Sequence, residues 1–209
     1  MQSVIEAIEA EDCVAFDTEF HSERRYYPDL MLAQIGTRDG RTWVADPQAI
    51  DITPLFRALV KKELLVHSGS QDLSILLREG NEAASRVFDV QLAAGLCGYG
   101  HPTRLDDLVQ NVIGGRLDKG PTLSDWSKRP LSPTQIAYAA SDVKVLFELR
   151  DGLTAKLGDR LPWAEEESQR LADTVAIGPQ VKHVWTRWDI VSRLDARTQN
   201  VLGVLFHWR

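Results

Sequence analysis

Strand-like and helix-like segments alternate along the 209-residue chain, which places it in the α/β or α+β class. Two local signals support this. An Asp39-Gly40 pair between two apolar runs marks a hairpin. Ser132-Pro133-Thr134-Gln135 forms a capping box with proline at the first helical position.

Residues 5–10 read as the tail of a helix, followed by an apolar strand over 13–16. A second strand over 30–35 leads through the hairpin to a third over 42–45. Thr53 is a good N-cap before Pro54, so a helix is expected from 54 to about 61. A short buried strand over 64–67 precedes a helix over 70–79, closed by Gly80. Residues 87–90 read as a strand running into an alanine-rich helix near 92–96. Leu105, Leu108, Val109 and Val112 recur at helical spacing. The capping box opens a helix that should continue to about residue 157, with Ile136, Ala140, Val143 and Phe147 packing inward. Apolar Leu202, Val204, Leu205 and Phe206 predict one terminal helix in the stretch 178–209. No internal repeat or low-complexity segment interrupts this pattern.

Composition is that of a soluble globular protein, with 44% apolar and 26% charged residues. No apolar run is long enough to span a bilayer, and the N-terminus lacks a signal-peptide pattern. Cys13 and Cys97 are too few for a disulfide framework or a cysteine metal site, so a cytoplasmic setting is expected. The net charge of −6 disfavours a general duplex binder. It does not exclude an enzyme whose carboxylates hold cations, because the metal then supplies the positive charge.

Four carboxylates carry the chemistry. Asp17 and Glu19, in VAFDTEF, lie two apart on a strand and leave one face together. An isolated D-x-E is usually a solvated strand end. Asp72 falls in the first turn of its helix, where an acid ordinarily just complements the helix dipole. Tyr138 and Asp142 are four apart on the capped helix and stack on one face, an arrangement that also suits a plain structural hydrogen bond. Together the four suit a pair of hard divalent cations, Mg²⁺ or Mn²⁺, with Tyr138 placed to orient an attacking water or help remove its proton. No P-loop, nucleophile elbow or paired-histidine zinc motif competes.

With these residues in place, the chain resembles the RNase D family of DEDDy-type 3′–5′ exonucleases. DTEFHSERRYYPDLMLAQIG resembles the first motif of the family and HSGSQDLSIL the second. FDVQLAAGLCGYG, LDKGPTLSDWSKRPLS and QIAYAASDVKVL resemble the stretch through the third, so the likeness covers about residues 14–157.

The resemblance implies an RNase H-like α/β fold, a mixed sheet of mainly five strands flanked by helices. It assigns Asp17, Glu19, Asp72 and Asp142 as metal ligands and Tyr138 as the fifth catalytic residue. Asp17 would bridge both ions, Glu19 and Asp142 would complete the site that binds the nucleophilic water, and Asp72 would act on the second ion through water. The implied activity is release of nucleoside 5′-monophosphates from RNA 3′ ends, with tRNA precursors as the family expectation. A DNA exonuclease and a non-catalytic nucleic-acid scaffold are the alternatives.

Asp89 is the best rival for a catalytic acid but reads as structural. Asp125, Trp126 and Arg129 are expected to fix the loop before the capped helix. Arg24 and Arg25 are candidates for phosphate contact. His67 is expected to close a hydrogen bond at a strand end, and His101 has no partner pattern. The expected division is a catalytic domain over 1–175 and a helical extension over 176–209, the latter resembling the start of a helicase-and-RNase-D C-terminal domain. The resemblance also implies that family members carry one more strand, about ten residues ahead of the position of Met1 here, so the sheet is expected to lack that edge.

Overall fold

Antiparallel and parallel pairing meet at the strand that carries the D-x-E motif. The computed structural model describes residues 1–23, 27–117, 125–177 and 190–208. Arg24 and Arg25 lie outside these. The chain divides into two compact units, Met1–Ala176 and Ile177–Arg209.

In the first unit, α1 (Gln2–Glu9) leads into β1 (Cys13–His21), β2 (Asp29–Gly36) and β3 (Thr42–Ala45). Then come α2 (Thr53–Leu59), β4 (Glu63–Val66), α3 (Ser70–Gly80), β5 (Arg86–Asp89) and α4 (Val90–Leu96). A short α5 (Leu105–Leu108) runs on as a π turn, Val109–Ile113. The unit closes with α6 (Pro133–Lys144), α7 (Leu146–Leu157) and α8 (Leu161–Ile177). In the second unit, α9 spans Ala196–Trp208.

Among the described residues the sheet has five strands in the order β3-β2-β1-β4-β5. β2 and β3 pair antiparallel with their neighbours, while β1, β4 and β5 run parallel through helical crossovers. This is the mixed α/β sheet of the RNase H-like fold.

Alternation along β1 decides what each face of the sheet carries. Val14 and Phe16 point into a core built with Leu55, Phe56 and Leu59 of α2 and Leu76 of α3. Phe16 meets Phe56 edge-on, with ring centroids 5.8 Å apart. Ala15 faces the opposite core, formed with Val143 of α6 and Leu146, Leu149 and Leu153 of α7. Asp17 and Glu19 continue the Ala15 side, so they emerge under α6, which packs across β1, β2 and β3. Gly36 permits that approach, because a Cβ built there would stand 3.3 Å from Val143.

Several expected boundaries move, each for a local reason. Thr53 is already helical and Ile52 is the N-cap; the Thr53 N–H is taken by the side chain of Asp51 instead. At the end of α3, Gly80 is the last helical residue and Asn81 takes the left-handed conformation, φ 56° and ψ 25°. The Ser132 capping box forms in full. Its helix does not run unbroken to residue 157, however, but is interrupted at Val145, φ −81° and ψ −14°. Neither proline nor glycine sits there. The break lets Val143 seat on Gly36 while α7 turns its own apolar side to α4. Ile136 also departs from expectation: it is 45% exposed, and Ala139 takes the inward position.

Candidate active site

Three carboxylates from two elements converge. Asp17 and Glu19 reach the site from β1, and Asp142 reaches it from the buried side of α6. Each offers an oxygen, and these oxygens lie within 4.8 Å of one another. Tyr138, one helical turn before Asp142, directs its hydroxyl to the Asp142 carboxylate. Trp126 is buried against the Tyr138 ring, centroids 6.2 Å apart, and limits its movement.

Asp72 arrives from the other side of the sheet, in the first turn of α3. It does not belong to the 4.8 Å group. Its Oδ1 accepts a short hydrogen bond from the Thr18 hydroxyl, which pins it to the strand residue between Asp17 and Glu19. It is close enough for its charge to act on both.

Electrostatics explain what the cluster lacks. Burial first, then repulsion from Asp72, Asp142 and Glu19, holds the Asp17 carboxyl well above the usual carboxylate range. Glu19 is pushed up to about 8 by burial and by Asp142 and Asp72. Burial raises Asp142 to about 6 against the opposing hydrogen bond from Tyr138, and Asp72 to about 6 against those from Thr18. Among the described residues no lysine or arginine pairs with any of the four. Hard oxygen donors, unneutralised and crowded, fit a divalent cation. Burial and the same carboxylates raise Tyr138 above the usual phenol range, so its hydroxyl stays protonated at neutral pH.

The surrounding loops support this arrangement. Arg129 grips Asp46 through two nitrogens, with Nη2 2.8 Å from Oδ1, and also donates to the carbonyls of Trp126, Lys128 and Met31. Asp125 accepts from the backbone N–H and hydroxyl of Ser127. The Trp126 platform beneath Tyr138 is therefore tied to β2 and to the segment after β3. His67 Nε2 meets the Thr103 carbonyl at 2.9 Å, a strand-end hydrogen bond.

Asp89, the rival acid, is fully committed elsewhere. It caps α4 through Gln91 N–H at 2.8 Å and accepts from the N–H groups of Ser68 and Gly69, both at 3.0 Å. Asp89→Ala strands these donors. It should cost about 3 kcal/mol in urea unfolding, since each orphaned buried donor costs about 1–3 kcal/mol. Mn²⁺ binding by the folded fraction should be unchanged.

Two residues of this neighbourhood escaped sequence reasoning. Thr18 carried no signal beyond its place inside D-x-E. Gln34 did carry one, a single amide within the otherwise apolar run MLAQIG. Its side chain is fully buried, and neither Nε2 nor Oε1 has a hydrogen-bond partner among the described residues.

The chain matches the 3′–5′ exonuclease family over residues 1–158. It is 36% identical over 192 residues to ribonuclease D of Acidiphilium cryptum, covering 90% of this chain and 49% of the relative. It spans about half the length of the curated relatives it matches. The crystal structure of Escherichia coli RNase D superposes with a TM-score of 0.86 at 29% identity, covering 99% of this chain and 56% of that one. Brucella melitensis NrnC, solved with bound Mg²⁺ and also bound to pGG, matches with a TM-score of 0.73 at 26% identity over 87% of this chain and 90% of its own.

Proposed function

The chain belongs to the 3′–5′ exonuclease family, and from that premise we propose that it removes nucleoside 5′-monophosphates from RNA 3′ ends by hydrolysis. The observation that carries the proposal is the meeting of Asp17, Glu19 and Asp142 within 4.8 Å, beside Tyr138. These three acids, with Asp72 behind Thr18, would hold two divalent cations, Mg²⁺ or Mn²⁺. Such ions, when bound, supply an acidified water and neutralise charge on the leaving oxygen.

The protein's own part is positioning. Tyr138, held by Trp126 and kept as a neutral phenol, gives its one O–H to Asp142, so its oxygen is left to accept from the attacking water and orient it rather than to act as a base. Asp142 both receives that hydroxyl and faces the cation site. Asp72, anchored by Thr18, contributes charge from the far side of the strand.

The ribonuclease D relatives favour the RNA reading over the DNA one, and NrnC bound to pGG supports a nucleotide ligand. Transfer-RNA precursors are the natural substrates the family likeness suggests. In this reading residues 1–175 are the catalytic domain and 176–209 a helical extension. A cytoplasmic setting accords with it, and no described helix is long and apolar enough to cross a membrane.

Matched RNA and DNA oligonucleotides, incubated with Mn²⁺ and with chelator, test the proposal. Mononucleotides should be released stepwise from RNA 3′ ends and only with metal. Activity that survives chelation, or cleavage of DNA alone, defeats it. Tyr138→Phe should lower kcat by about 10²-fold, the scale of a lost positioning contact at the reacting atoms. The Mn²⁺ Kd measured calorimetrically should rise by about tenfold, because the phenol orients the Asp142 carboxylate without touching the ion.

A further inference from the structure

Gln34 lies directly opposite Asp17 in the antiparallel β1–β2 ladder. Residues paired this way project to the same face with Cβ atoms about 4.5–5.5 Å apart. That face is the one covered by α6, as the seating of Val143 on Gly36, the next same-face residue of β2, demonstrates. The amide therefore sits beneath the helix that supplies Asp142 and Tyr138, beside the carboxylate at the centre of the acidic group.

Everything else about the position argues for an apolar residue. Gln34 has no exposed surface, and its strand neighbours Ala33 and Ile35 are likewise fully buried. A glutamine amide brings two donor hydrogens and an acceptor. Leaving a buried polar group unpaired costs about 1–3 kcal/mol, a cost a leucine of similar size would avoid. Among the described residues neither amide atom has a hydrogen-bond partner. A carboxylate one side-chain length away is the obvious acceptor for its Nε2–H.

We infer that Gln34 is a positioning residue of the cation site: its Nε2–H donates to the ionised Asp17 carboxylate and fixes which oxygen faces the metal. The inference rests on the reading of Asp17 as a metal ligand. Partners of this kind, which orient a ligand without touching the ion, typically change metal affinity by about 10–100-fold when removed. Their loss is therefore felt in binding and not only in turnover.

The test uses Gln34→Leu and Gln34→Met in the full chain, stripped of metal and titrated with Mn²⁺ by calorimetry. Both variants are expected to raise the Mn²⁺ Kd by about tenfold. The thermal midpoint of the metal-free protein should hold or rise, because an orphaned amide has left the core. At saturating Mn²⁺, kcat should fall with KM for an RNA oligonucleotide unaltered. An unchanged Kd overturns the inference, as does a lowered metal-free midpoint or failure of both variants to fold, since the amide is then structural. Asp17→Asn run in parallel separates the two levels. If it loses Mn²⁺ while the Gln34 variants keep it, only the role of Gln34 falls. If it too keeps Mn²⁺, the reading of the site itself falls.

Discussion

Asp17→Asn will extinguish 3′-end hydrolysis while making the metal-free protein more stable near neutral pH. Loss of activity should reach at least about 10²–10³-fold, the scale set by removing one electrostatic group from a preorganised centre. The gain in stability follows from the same geometry. Asp17 is half-buried among Asp72, Asp142 and Glu19, and ionising it there is opposed by desolvation and by all three neighbours. An asparagine of the same shape removes that opposition. Stability and function are thus set against each other at one residue, a pattern characteristic of catalytic sites. Thermal melts in chelator and a single-turnover assay on an RNA oligonucleotide check both halves. A variant that retains activity, or one that melts earlier than the parent, contradicts the assignment.

The second large effect is the dependence of stability on pH and metal together. In the metal-free fold Glu19 titrates near 8, Asp72 and Asp142 near 6, and Asp17 well above the usual range. In the unfolded chain all four titrate near 4. Between about pH 4 and 8 the folded chain therefore binds more protons than the unfolded one, and its stability must fall as pH rises. His67 works the other way, because burial lowers its pKa and favours the folded state as pH rises through the usual histidine range.

A bound cation replaces the protons, so its benefit is small in acid and large in alkali. At a hundredfold excess over Kd the gain is about 2.7 kcal/mol, which for a domain of this size is about 5–10 °C in melting temperature. Melts with Mn²⁺ and with chelator at about pH 5 and pH 8 measure it. The two curves should nearly coincide in acid and separate in alkali. Equal separation at both would mean the ion is not held by these carboxylates.

Local patterns proved sufficient wherever the deciding forces are themselves local. The Ser132 box forms because its two hydrogen bonds connect residues three apart. The common direction of Asp17 and Glu19 is a property of any pleated strand, and the stacking of Tyr138 on Asp142 is a property of any α-helix. The break at Val145 was not legible, because it is set by Gly36 and Val143 meeting across the sheet. Asn81 rather than Gly80 ends α3 because asparagine also tolerates the left-handed region, and the sequence offered both side by side.

By itself, then, the amino-acid order determined the α/β class and the helix start at the capping box, and it singled out the five candidate residues of the proposed site. Only the folded chain decided that Asp142 closes on Asp17 and Glu19, that Asp72 is tethered through Thr18 from the opposite face, and that Gln34 is buried beside them without a hydrogen-bond partner among the described residues. The physical reason is range. Periodicity and capping act over three or four residues, whereas strand register and the seating of α6 on the sheet bring together side chains more than a hundred positions apart, and those alone set burial and charge.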